Sequence, residues 1–133
     1  MRYIFFVYQW FIAGPIIAIA TILAALSATL FSVLGFRSGG YYPSHYWARL
    51  FCYIMFVRVE VKGRENIDKN TSYVFVANHQ GAYDIFSIYG FLNHTFYWMM
   101  KKSLERIPFV GFACKASGHI MVDNSSAKAV KHT

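Results

Sequence analysis

The sequence predicts an α/β domain that follows an N-terminal membrane helix or helical hairpin. Residues 3–36 contain no Asp, Glu, Lys, Arg or His, and all six acidic residues lie at or after Glu60. From Val57 onward, short apolar runs alternate with stretches of helical periodicity, the order typical of an α/β domain. We therefore divide the chain into a membrane-anchoring helical region, residues 1–56, and an α/β domain, residues 57–133.

Composition supports this division and narrows the function classes. Of the 133 residues, 56% are hydrophobic and only 14% are charged, whereas soluble domains carry about 25% charged residues. This excludes intrinsic disorder and an ordinary soluble protein. The formal charge of +7 favours anionic lipid or a phosphorylated substrate beside an apolar anchor. We expect no nucleic-acid partner, because Lys101-Lys102 is the nearest approach to a basic run.

The first apolar segment is long enough to reach across a membrane. A helix over residues 16–36 would span about 30 Å, the thickness of the hydrocarbon core. A signal peptide with a cleavage site near Ala28 is the competing interpretation, but the apolar residues continue beyond that site. Bases crowd its C-terminal side, so the positive-inside rule places the rest of the chain in the cytoplasm. Hydropathy leaves a spanning helix and a hairpin in one leaflet as open alternatives.

Residues 41–57 form a second apolar stretch that Arg49 interrupts. Its helical periodicity fits an interfacial helix, one packed on the following domain, or a plain amphipathic core helix. Six elements follow it: a half-exposed strand at 57–62, a buried strand at 72–77, a helix at 83–92, a strand at 96–100, a helix at 102–115 and a strand at 120–122. The helix at 102–115 is predicted to be interrupted around Pro108 and Gly111.

His79 and Asp84 lie where the predicted strand at 72–77 gives way to the helix at 83–92. In a continuous helix these two residues point too far apart to hydrogen-bond. They can meet if His79 ends the strand and Asp84 lies in the first helical turn, with Gly81 supplying backbone freedom. An Asp that accepts from one imidazole nitrogen makes the other nitrogen a better base. The alternative is a helix-start Asp beside an unrelated histidine.

Three ordered segments resemble one enzyme family. Residues 76–84 (Val-Ala-Asn-His-Gln-Gly-Ala-Tyr-Asp) resemble the Asn-His-x4-Asp block of the glycerolphosphate acyltransferase superfamily. Residues 102–104 (Lys-Ser-Leu) with 107–111 (Ile-Pro-Phe-Val-Gly) look like its next segment, and residues 118–123 (Gly-His-Ile-Met-Val-Asp) resemble its second block. The best fit is to bacterial 1-acyl-sn-glycerol-3-phosphate acyltransferases, over about residues 57–128.

The resemblance implies a reaction and roles for the residues. His79 would act as base on the sn-2 hydroxyl of lysophosphatidic acid, with Asp84 orienting it. The acyl donor would be acyl-CoA or acyl carrier protein, and the product phosphatidic acid, an intermediate of phospholipid biosynthesis. It implies no metal or other cofactor, and a place on the cytoplasmic side of a bacterial inner membrane. Residues expected to bind substrate are Asn78, Gly81, Lys101, Lys102, Gly118 and Asp123.

The sequence departs from the family pattern in two places. Asp123 is followed by Asn124, where the family has Arg, so a bidentate phosphate contact is lost; Asp123 is alternatively a helix cap. The family's third block, Pro-Glu-Gly-Thr-Arg, does not occur in this sequence. We therefore expect an incomplete α/β acyltransferase domain, the N-terminal part of an enzyme. The alternative is a truncated, non-catalytic membrane protein that keeps the family's N-terminal scaffold.

Overall fold

The structure is a computed structural model that describes residues 2–36 and 40–123. Within those residues it contains helices and one two-stranded parallel sheet. The helices are α1 (Arg2–Tyr8), α2 (Gly14–Val33), α3 (Tyr41–Ile54), α4 (Ala82–Phe91) and α5 (Val110–Ala116); the strands are β1 (Met99–Lys101) and β2 (Ile120–Val122). A π-helical turn (Gln9–Ala13) and two 3-10 helices (Arg64–Asn66 and Lys102–Arg106) complete the elements.

The N-terminal helix runs without a break from Arg2 to Val33, 32 residues, and is long and apolar enough to cross a membrane. A signal sequence near an N-terminus can meet the same criteria of length and apolar composition. The π turn lies directly before Gly14 and Pro15, and the Gly14 N–H donates to the Gln9 carbonyl. Because proline lacks an N–H, the irregular turn accommodates it inside the helix.

The α2 helix has one face of small residues and one of large apolar residues. The first face packs against α3 and α5, and it carries Thr21, Ala25, Ala28 and Ser32. The second is exposed, each side chain more than half accessible, and it carries Ile19, Leu23, Leu26 and Leu30. Both sets follow the helical repeat, so one side of α2 packs against the protein interior and the other is exposed among the described residues.

The α3 helix connects the anchor to the rest of the chain. It runs antiparallel to the N-terminal helix, since the Tyr8 hydroxyl donates to the Ile54 carbonyl and the Trp47 indole donates to the Thr21 hydroxyl, both at 2.9 Å. Its other face packs on α4. The core formed there contains Tyr41, Ala48 and Tyr89, with Trp47, Phe86, Phe96 and Trp98 packed against it. Thus α3 packs on the domain and is not an isolated interfacial helix.

The two strands are parallel, and α5 provides the crossover between them. Met99 pairs with Ile120 and Lys101 pairs with Val122. The strand predicted at 120–122 is confirmed, and the one predicted at 96–100 begins later, at Met99. The helix predicted at 83–92 is confirmed as α4. The described fold is therefore mostly helical with a small parallel sheet, which fits part of an α/β domain but has fewer strands than the sequence predicts.

The buried strand predicted at 72–77 is wrong for these residues, all of which the structure describes. Val74 and Val76 are 91% and 93% exposed, whereas Tyr73 and Phe75 are 39% and 36% exposed and contact the His94 ring. The side chains therefore alternate as in a strand, but no described segment forms a backbone ladder with this one. A strand requires such a ladder, and β-propensity alone does not supply it.

Two other predictions need correction. Residues 57–62 alternate between half-buried and exposed as expected, yet they do not form a strand. The helix predicted at 102–115 divides into the 3-10 helix and α5; the break at Pro108 is confirmed, but Gly111 lies inside the first turn of α5. Asn124, and the helix that Asp123 was alternatively expected to cap, lie outside the described residues.

Candidate active site

Asp84 organises the start of α4. Its Oδ2 accepts hydrogen bonds from the backbone N–H groups of Gln80 (2.7 Å) and Gly81 (3.0 Å). Asp84 is the third residue of the helix, and its own N–H donates to the Gly81 carbonyl. A carboxylate in this position satisfies N–H groups that the helix cannot and interacts favourably with the helix dipole. The local sequence therefore bends from an extended segment into a helix at Gly81.

The bend brings His79 back to Asp84. His79 Nδ1 lies 3.5 Å from Asp84 Oδ2, the same oxygen that accepts the two backbone hydrogen bonds. The sequence left two interpretations of Asp84 open, and the structure contains features of both. Asp84 caps the start of the helix, and it also contacts His79. The pair lies at the surface, with 61% of the His79 side chain and 36% of the Asp84 side chain exposed.

This geometry keeps Asp84 ionised and leaves one imidazole nitrogen free for chemistry. Hydrogen bonds from the Gln80 and Gly81 amides, and to a smaller extent the neighbouring His79, hold the pKa of Asp84 below its ordinary value. A carboxylate facing Nδ1 favours the tautomer whose proton is on Nδ1. The lone pair is then on Nε2, which is the arrangement of a general base.

Two predicted substrate-binding residues lie close to this pair in the chain: Asn78 precedes His79, and Gly81 lies between His79 and Asp84. Gly81 has extended backbone angles (φ −173°) that any residue adopts, and no described atom lies within 4 Å of where its Cβ would be. The prediction that the turn needs glycine's backbone freedom is therefore wrong. Asn78 is exposed beside His79. Whether either residue contacts substrate stays a prediction.

A second group of predicted residues lies at the carboxyl ends of the two strands, where parallel strands place ligand sites. Lys102 Nζ lies 3.8 Å from Asp123 Oδ2. They line a cleft of about 610 Å³ whose walls are Lys101, Lys102, Ser103, Glu105, Arg106, Val122 and Asp123. Three bases and two acids share this cleft, and neither His79 nor Asp84 lines it. The structure thus brings Lys101, Lys102 and Asp123 together, separately from the histidine.

Gly118 has a local structural role that the sequence did not specify. It has a positive φ of +83°, lies in the turn between α5 and β2, and donates its N–H to the Lys115 carbonyl. Glycine adopts this left-handed conformation without steric cost. The turn directs the chain into β2 and toward Asp123.

The structure also contains an apolar cavity that the sequence did not predict. Its volume is about 170 Å³. It opens to the surface, and its lining residues come from α2, α3, α4, β1, α5 and the 3-10 helix Lys102–Arg106. Ile85, the residue after Asp84, is part of its wall. Other lining residues are Thr21, Trp47, Trp98, Cys114 and His119. The sequence could not predict this cavity, because its lining residues come from distant elements and show no common spacing.

His119 also lines the apolar cavity, and the sequence did not suggest a role for it. Its Nδ1 accepts the Trp98 backbone N–H at 3.2 Å, which places the ring proton on Nε2. Burial lowers the pKa of His119 to about 4, so the ring is neutral at physiological pH. Its position directly before the apolar run 120–122 was the available signal for burial.

Comparison with known proteins assigns this arrangement to a family. Residues 58–133 match the acyltransferase family, so the chain belongs to it. The chain is 29% identical over 124 residues to a 1-acyl-sn-glycerol-3-phosphate acyltransferase of Chlamydomonas reinhardtii, covering 90% of this chain and 35% of the relative. It is 35% identical over 82 residues to a 1-acyl-sn-glycerol-3-phosphate acyltransferase of Saccharomyces cerevisiae, covering 59% of this chain and 27% of that protein.

A third relative, an uncharacterized acyltransferase of Schizosaccharomyces pombe, is 24% identical over 119 residues, which is 89% of this chain and 43% of the relative. The chain therefore spans well under half the length of each of these curated relatives. No solved structure matches this chain.

Proposed function

We propose that this chain carries the catalytic base of a membrane-bound acyltransferase that acylates the sn-2 hydroxyl of lysophosphatidic acid. The observation that carries the proposal is the 3.5 Å contact between His79 and an ionised Asp84 at the start of α4. Family membership and two relatives named 1-acyl-sn-glycerol-3-phosphate acyltransferase support the substrate class. The product is phosphatidic acid, which enters phospholipid biosynthesis.

In the proposed reaction the acyl group moves directly from the thioester sulfur to the acceptor oxygen. His79 Nε2 takes the proton of the acceptor hydroxyl as its oxygen attacks the thioester carbonyl of acyl-CoA or acyl carrier protein. The carbon–sulfur bond then breaks, and the departing thiolate receives the proton from the imidazolium. Asp84 holds the ring and stabilises its positive charge. No metal or further cofactor is part of this scheme.

Two other features of the structure suit such substrates. The cleft at the strand ends supplies Lys101, Lys102 and Arg106 for an anionic phosphate. Ile85, next to Asp84, lines the apolar cavity, whose walls would contact part of an acyl chain. In this proposal the substrate is also contacted by three further residues: Asn78, Gly81 and Gly118.

We further propose that the N-terminal helix lies in one leaflet and does not span the bilayer. The α3 helix follows it from Tyr8 to Thr21, and α5 packs on its second half. A spanning orientation would carry α3, with Arg49, into the hydrocarbon at a large cost. The exposed stripe Ile19, Leu23, Leu26 and Leu30 is the surface that enters the lipid.

The proposed location is the cytoplasmic side of the membrane, from the positive-inside rule. The relatives that were matched come from an alga and two yeasts, so a bacterial inner membrane stays a prediction from the resemblance alone.

The test is formation of phosphatidic acid from labelled lysophosphatidic acid and acyl-CoA by the chain in detergent or vesicles. We expect His79→Ala and Asp84→Asn each to reduce the rate by about a hundredfold or more. Asp68→Asn is the matched control, because Asp68 also accepts a backbone N–H at the surface (Asn70, 2.9 Å) and lies outside the site. Full activity in His79→Ala would overturn the proposal. No product from the unchanged chain would favour the alternative, a non-catalytic scaffold.

A further inference from the structure

The carboxyl end of α4 is held by three basic side chains from outside the helix. Its last carbonyls, those of Tyr89, Gly90 and Phe91, have no following helical turn to donate to them. His45 Nδ1 hydrogen-bonds to the Tyr89 carbonyl at 2.9 Å, Arg49 Nε donates to the Gly90 carbonyl at 2.6 Å, and Arg64 Nη2 donates to the Phe91 carbonyl at 2.6 Å. We call these three residues the basic clamp.

Within the clamp, Arg49 makes two further contacts with the end of α4 and lies where α3 and α4 pack closely. Its Nη2 also donates to Asn93 Oδ1 at 3.4 Å, and its guanidinium lies 5.2 Å from the centre of the Phe91 ring. A Cβ on Gly90 would lie only 3.0 Å from the Arg49 backbone nitrogen. Arg49 therefore fixes α4 against α3 both along and around the helix axis.

The opposite end of the same helix carries the proposed catalytic pair. With ten residues, α4 is about 15 Å long, and its first turn holds Asp84, which contacts His79. The His79 side chain is 61% exposed and the Asp84 side chain is 36% exposed. The hydrogen bonds that hold Asp84 come from the backbone at the start of α4. Cations at the carboxyl end also offset the negative end of the helix dipole. The position of the pair thus depends on how α4 is docked.

We propose that Arg49, supported by His45 and Arg64, is a positioning residue for the His79–Asp84 pair, acting through α4 from helix α3. This also explains why a charged residue interrupts the apolar stretch 41–57. The proposal deepens the proposed function and rests on it for its catalytic consequence. Its structural content is that loosening one end of α4 loosens the other.

The first measurement is amide hydrogen exchange in Arg49→Gln, which does not require activity. We expect the Gln80, Gly81 and Asp84 amides to exchange about tenfold faster than in the unchanged chain. Arg49→Lys, which keeps the charge and one donor, should restore part of the protection. Arg64→Gln, a surface change, should act in the same direction but more weakly. The control Arg58→Gln changes another exposed base of the following loop and should leave these amides unaffected.

The second measurement is the kinetics of acyl transfer. Arg49→Gln should lower kcat about tenfold or more at nearly constant KM, because a misplaced base affects the transition state and not substrate binding. Faster exchange confined to residues 88–93, with Gln80 and Gly81 unchanged, would overturn the inference and make the clamp a local cap. If the unchanged chain is inactive, the proposed function fails, while the exchange experiment still decides whether the clamp controls the start of α4.

Discussion

The Asp84 side chain determines both the local turn of the backbone and the geometry of the candidate site. One carboxylate oxygen ends the extended segment, starts α4 and faces the imidazole of His79. The sequence predicted that these residues could meet because only a bend at residues 80–82 allows it. It could not predict the second observation, that the backbone amides contribute more than His79 to lowering the pKa of Asp84. Those hydrogen bonds depend on backbone geometry.

At the same scale, His119 makes the stability of the fold depend on pH. Its pKa is about 4 in the folded protein and about 6.5 when unfolded, so the unfolded chain binds more protons between these values. Stability from this residue is therefore present above about pH 6.5 and is lost as pH falls toward 4.

We expect the free energy of unfolding to fall by about 2 kcal/mol between pH 7 and pH 5 through His119. His119→Asn, whose amide oxygen can still accept the Trp98 N–H, should lack this loss. Chemical denaturation of both proteins in the same detergent at the two pH values measures the difference. An equal pH dependence in the two proteins would show that His119 is not buried in its neutral form.

At the scale of elements, α5 packs closely on the 3-10 helix that precedes it. A Cβ on Gly111 would overlap the Glu105 backbone, including its Cα at 2.7 Å. That backbone carries one wall of the cleft at the strand ends. The contact therefore requires glycine for space, although the sequence suggested a helix break there.

We expect Gly111→Ala to destabilise the protein by about 2 kcal/mol, since backbone atoms must move to admit the methyl group. Gly81→Ala is the matched control, because its Cβ would meet no described atom, and it should cost about 0.5 kcal/mol as a poorer N-cap. Thermal unfolding of the two variants in detergent checks the order. A Gly111→Ala protein as stable as Gly81→Ala would mean that the two elements pack less closely than described.

The elements also show where sequence prediction ends. The helix at 83–92 and the strand at 120–122 were predictable because periodicity and apolar runs encode them locally. Residues 72–77 have the alternation of a strand but no ladder, since a strand depends on a neighbour that its own sequence does not specify. The apolar cavity and the basic clamp were not predictable for the same reason: their residues come from helices distant in the chain.

For the whole molecule, the central feature is that the apolar N-terminal helix is packed along the domain. Its small-residue face contacts α3 and α5, and its large apolar face is exposed. Hydropathy reports length and composition, so it could not distinguish a spanning helix from one lying in a leaflet. The packing partners make that distinction possible, and in the proposed one-leaflet arrangement the domain stays at the membrane surface, where an amphiphilic acceptor is available.

The one-leaflet orientation predicts that the start of the N-terminal helix and the segment after α3 are accessible from the same side of the membrane. A membrane-impermeant maleimide should label Tyr3→Cys and Lys62→Cys from the same side of sealed vesicles. Both positions are exposed in the structure. The unchanged chain is the control for its own thiols, Cys52 and Cys114. Labelling of the two variants from opposite sides would establish a spanning helix and contradict the one-leaflet arrangement.

The most direct test of the central claim, a His79 base that transfers the acyl group straight to the acceptor, is thiol release from acyl-CoA with and without lysophosphatidic acid. We predict release only when the acceptor is present, and its loss by about a hundredfold or more in His79→Ala. Thiol release at an equal rate without acceptor, or an undiminished acceptor-dependent rate in His79→Ala, would contradict the account.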